Sequence, residues 1–68
     1  MSDTKIYKKF DNHRIKAVNI HGKVAIIYFE KLSYGKWKDK SHICFKYELP
    51  KENTSFELMK FLVLKGVV

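Results

Sequence analysis

An α+β domain is the fold class this sequence predicts: a four-stranded antiparallel sheet followed by one C-terminal helix. Short runs of β-branched and aromatic residues recur through residues 1–47, with glycines between them. Pro50, which has no ladder donor, ends that pattern. A helix-start signature and an apolar run then fill 54–65. The 68 residues make one domain, 1–68, with a β-rich part at 1–47 and a helical part at 54–65.

The first strand is expected in "KIYKKF", 5–10, where Ile6, Lys8 and Phe10 alternate with Tyr7 and Lys9. "HRIKAVNI", 13–20, is the second, and "KVAIIYFEKL", 23–32, the third. The pair His21-Gly22 joins them as a tight hairpin, with Gly22 supplying a positive φ. In the third strand Val24, Ile26 and Tyr28 face one way and Ala25, Ile27 and Phe29 the other. Apolar residues on both faces place it centrally in the sheet. "SHICFKY", 41–47, is the fourth strand, and the stretch between, "SYGKWKDK", is expected as a projecting hairpin loop.

After Pro50, Thr54 and Glu57 have the spacing of a capping box, predicting a helix over about 55–65 with Gly66 just beyond its end. Phe56, Leu58, Met59, Phe61, Leu62, Val63 and Leu64 leave this helix few polar positions. A helix apolar nearly all round is buried on more than one side. Because 68 residues cannot surround it, a homodimer is expected, with Phe56, Met59, Phe61, Leu62 and Val63 at the interface.

The charge is uneven. All of the net +7 lies within residues 1–46, whereas Lys51, Lys60 and Lys65 balance Glu48, Glu52 and Glu57 beyond them. A concentrated positive field favours polyanions: nucleic acid, an anionic membrane or an acidic protein surface. The single cysteine, Cys44, cannot form an internal disulfide and reads as a packed thiol in a reducing, cytoplasmic setting. No apolar run is long enough for a signal peptide or a membrane span, so no membrane partner is expected.

Catalytic motifs are missing: there is no nucleophile motif, phosphate-cradling glycine loop or paired carboxylate, so no enzyme is predicted. His42 and Cys44 share a strand face, but with His13 and His21 they give no recognised ligand spacing. Neither a metal nor a cofactor is expected.

The aromatic and basic residues are more informative. Binders of single-stranded nucleic acid need cations for phosphates and exposed rings for bases. Lys36, Lys38 and Lys40 alternate with Trp37 near Tyr34, and Arg14, Lys16 and Lys23 lie on the neighbouring hairpin. These eight residues are the expected nucleic-acid site. In the competing expectation Trp37 folds back as an anchor and the lysines guard a sheet edge against aggregation.

The order "RIKAVNIHGKVAIIYFEKL", a basic glycine-containing loop, "HICF" and then a helix resembles the positive-cofactor-four family of transcriptional coactivators, single-stranded-DNA-binding proteins with bacterial and phage relatives. Gly22-Lys23-Val24 matches the family's turn, Ile26 to Glu30 its second strand, Lys36 to Lys40 its basic loop and Ile43-Cys44-Phe45 its short strand. The similarity spans about residues 6–65. It departs in the loop, which lacks the family's proline and second glycine, and at Leu32, near where the family has an aromatic. The resemblance implies a curved four-stranded sheet, a dimer through the helices and single-stranded DNA across the β-face, with loop lysines on phosphates.

The expected function is therefore binding of single-stranded nucleic acid, DNA first, in transcription or replication. The alternative is a small viral or mobile-element protein that modulates a host protein by binding its acidic surface. Double-stranded nucleic acid held by backbone charge alone is a third option.

Overall fold

The computed structural model describes residues 11–68. Strands β1 (His13–His21), β2 (Val24–Ser33) and β3 (Lys36–Phe45) form an antiparallel meander in the order β1-β2-β3. A single 3-10 turn, Lys46–Glu48, leads to helix α1, Ser55–Leu64. Among the described residues the sheet thus has three strands rather than the expected four. The strand expected over 5–10 lies outside the described residues.

A second correction concerns 33–40, which is not a projecting loop. Only Tyr34 and Gly35 form the turn; Ser33 pairs with Lys36 and Leu32 with Trp37. Both turn residues have positive φ, 51° and 75°, the pattern of a type I′ turn whose twist matches that of the flanking strands. Two residues suffice, so the lysines and Trp37 become ladder positions. The first hairpin turns at Gly22-Lys23, with Gly22 at φ 64°, and His21 is the last residue of β1, paired with Val24.

Central β2 has the two apolar faces expected of it. On one face Ala25, Ile27 and Phe29 are buried, and Leu58, Met59 and Leu62 of α1 are buried as well. Ile15 and Val18 of β1 join this core, although their spacing breaks simple alternation. The register explains it: Ile15 pairs with Phe29 and Ala17 with Tyr28, leaving Lys16 as the extra residue of a β-bulge. The bulge returns Ile15, Val18 and Ile20 to the side that faces α1.

Helix α1 starts at Thr54, whose side chain accepts the Glu57 N–H at 3.2 Å. It ends in a Schellman motif: Gly66 N–H donates to the Val63 carbonyl and Val67 N–H to that of Leu62, with Gly66 at φ 75°. This reversal lays Val67 and Val68 back against the core. Met59 and Leu62, expected at a dimer interface, are fully buried beneath the chain's own sheet, while Phe56, Phe61 and Val63 are half-buried. Leu64 is exposed. No described helix is long and apolar enough to cross a membrane.

Candidate nucleic-acid interface

Because 36–45 is a strand, alternation sends Trp37 and Asp39 to one face and Lys36, Lys38 and Lys40 to the other. The register identifies the faces. Lys40 pairs with Phe29 and Lys38 with Lys31, so the lysines share the side covered by α1. Trp37, Asp39 and Glu30 share the open side with Arg14. The expected constellation of lysines around Trp37 is thereby split through the thickness of the sheet.

The open side is electrostatically closed at this end. Arg14 pairs with Glu30 at 3.0 Å, and its guanidinium lies 3.7 Å from the Trp37 ring centroid. Lys16, from the bulge, crosses β2 to reach Asp39 at 3.1 Å. A cation–π contact at such a site contributes about 0.5–1 kcal/mol. One face of the Trp37 ring is already occupied, and the ring is half-buried.

The opposite side has the reverse character. Lys31, Lys36, Lys38 and Lys40 are all exposed, and none has an ion-pair partner among the described residues. Lys31 and Lys38 are direct cross-strand partners. Opposed like charges on neighbouring strands destabilise a sheet. Beside them a cleft of about 450 Å³ is lined by Asn12, His13, Lys31, Lys40 and Ser41, with Val67 and Val68 at its helical side. His13 is buried, and its Nδ1–H donates to Asn12 Oδ1 at 2.7 Å. Lys31 was absent from the sequence-predicted site. Continuing the period-2 alternation of "KWKDKSHICF" back to Gly35 would have placed it opposite Lys38.

Tyr34 occupies the hairpin tip and is 99% exposed. A bulky residue at φ 51° is costly, and Asn or Gly is the usual occupant of this turn position. Lys23 lies in the other turn, at the far end of the sheet.

That far end carries a feature the sequence reading missed. Phe45 and Tyr47 stack with centroids 5.6 Å apart and planes 13° from parallel, and both are exposed. They are fixed from below: Glu48 accepts the Phe45 N–H at 3.0 Å and the Lys65 ammonium at 2.6 Å, and Lys46 N–H donates to the Lys23 carbonyl. The Lys65 hydrogen bond, and secondly that from Phe45, holds the Glu48 carboxyl below its usual range. Cys44 is buried beside this brace, and burial foremost pushes its thiol pKa up. His42, on the same face, contacts the Phe61 ring at 6.2 Å.

No family model, curated protein or solved structure matches this chain. Among the described residues, no three His, Cys, Asp or Glu side chains converge as metal ligands.

Proposed function

We propose that this protein binds single-stranded nucleic acid through the helix-side face of the β2–β3 hairpin. The observation that supports it most is the set Lys31, Lys36, Lys38 and Lys40: four cations on one face, without an acidic partner among the described residues. A phosphate chain supplies the missing counter-charge at regular intervals, so it answers the repulsion between Lys31 and Lys38. Tyr34, displayed at the tip beside Lys36, offers an uncovered ring to a base. Arg14 and Lys16, already paired on the open side, contribute less. Trp37 braces the hairpin through Arg14.

The test is titration of a labelled single-stranded oligonucleotide at several salt concentrations, read by fluorescence anisotropy. Affinity is expected to fall steeply with salt. Each of Lys31→Ala, Lys36→Ala, Lys38→Ala and Lys40→Ala should flatten the slope of log K against log salt by about 0.7. Lys16→Ala should change it less, because that ammonium already has Asp39. Failure to bind at low salt would remove this function and favour an acidic protein surface as the partner.

A further inference from the structure

We infer that a bound single strand runs along the edge strand β3, away from the lysine row, and docks bases on the stacked Phe45–Tyr47 pair. This rests on the nucleic-acid reading and adds a second, separate contact to it. Among the described residues β3 lies at one edge of the three-stranded sheet, which leaves its outer side to a ligand. From Lys36, on the helix side, to Phe45, on the open side, the path is roughly 30 Å at about 3.3 Å per residue and turns over the sheet edge. Such a length suits the several nucleotides that small single-strand binders engage.

The chemistry at the far end fits a base and its phosphate. Phe45 is 53% and Tyr47 83% exposed, and with Gly22, Lys23 and Lys46 they line an open hollow of about 760 Å³. Ile43, two residues before Phe45 and on the same face, is 65% exposed and extends the apolar floor toward the middle of the strand. Lys23 and Lys46 rim the hollow and have no ion-pair partner among the described residues. The nearest acid in sequence, Glu48, is turned to Lys65 and the Phe45 N–H.

That same brace fixes the backbone beneath the platform before anything binds. The Glu48 carboxylate caps the 3-10 turn from below, and the Lys46–Lys23 backbone bond ties the turn to the first hairpin. Little backbone ordering is left to oppose stacking, which is how preorganisation raises affinity. A second copy of the chain fits this patch poorly. It brings its own +7 and, in a two-fold contact, gathers both copies of Lys23 and Lys46 into one interface.

The experiment compares thymidine oligonucleotides of about four and about twelve nucleotides, both within the range of site sizes of small single-strand binders. Binding to native protein, Tyr47→Ala and Tyr47→Phe is measured, with sedimentation of each. Tyr47→Ala should weaken the longer oligonucleotide by roughly 5- to 150-fold, the equivalent of one lost stacked base. The shorter one, held by the lysines, should change less than about twofold, and the salt slope should be unaltered. Tyr47→Phe, which keeps the ring, should bind both lengths as the native protein does. If Tyr47→Ala binds the longer oligonucleotide normally, the platform is wrong and the lysine face stands. Loss of binding to both lengths by the native protein would overturn both. A native dimer that Tyr47→Ala converts to monomer would assign the patch to a second copy and overturn the inference.

Discussion

Ile26 and Ile27 are adjacent on β2, yet one is half-buried on the open side and the other is fully buried under α1. Their surroundings divide the molecule diagonally. On the helix side the half nearer the first hairpin is apolar and, Ile20 at its edge apart, covered, and the half nearer the second carries Lys31, Lys36, Lys38 and Lys40. On the open side the distal half is closed by Arg14–Glu30, Lys16–Asp39 and Trp37, and the proximal half exposes Ile43, Phe45 and Tyr47. Two quarters are therefore satisfied from within the chain: one by packing, one by ion pairs. Among the described residues, the other two present lysines without counter-charge and rings without cover. A ligand that is both anionic and aromatic answers the two together.

The largest effect should come from the packed quarter. Ile27→Ala removes a fully buried side chain from between Phe29, Leu58 and Leu62 and should cost about 2–5 kcal/mol. Ile26→Ala, one residue away, should cost roughly half of that or less, because it has less surface to lose. Urea denaturation of the two variants measures the contrast. Equal losses would mean that the open side is covered as fully as the helix side.

Much of this division was legible in the sequence, for identifiable reasons. The two apolar sets of β2 alternate without interruption, so a central strand followed directly. Thr54, Glu57 and Gly66 marked both ends of α1 because capping chemistry is local. The lysine stretch was misread because a Gly-Lys-Asp-Ser composition signals a loop, whereas a two-residue turn at Tyr34-Gly35 leaves those residues in the ladder. Once 36–45 is a strand, "KWK" divides between faces. The bulge at Lys16 had a trace in the sequence, since Ile15 and Val18 cannot share a face by simple alternation. The Phe45–Tyr47 platform left almost none, because it depends on a 3-10 turn fixed by Glu48 and the distant Lys65.

A smaller effect separates stability from binding within the lysine quarter. Lys38→Glu places a carboxylate opposite Lys31, turning a repulsive cross-strand pair into an attractive one. The sheet should gain about 0.2–1 kcal/mol. Affinity for single-stranded nucleic acid should fall at the same time, with a flatter salt dependence. Thermal unfolding and anisotropy on one preparation read both quantities. A variant that is more stable and weaker in binding identifies the lysines as kept for a ligand. If stability rises and binding is untouched, their role is to guard the edge strand against association.

The smallest effect concerns the brace beneath the ring platform, and its sign follows from the protonation of Glu48. Hydrogen bonds from Lys65 first, and from the Phe45 N–H second, lower the carboxyl's pKa in the folded chain below its unfolded value. The folded state therefore binds this proton less readily than the unfolded state does. The resulting stabilisation is fully present above the unfolded pKa and is lost as pH falls through the folded one. Lys65, raised chiefly by its hydrogen bond to the same carboxylate, stays protonated throughout that acidic range and adds no slope there. Melting temperature should accordingly fall on acidification more in the native protein than in Glu48→Gln, the two curves converging once the native carboxyl is protonated. The difference should be small and should shrink in high salt, because both groups of the pair are partly open to solvent. Parallel curves across the whole acidic range would show that Glu48 does not hold the 3-10 turn, and with it the Phe45–Tyr47 geometry, in place.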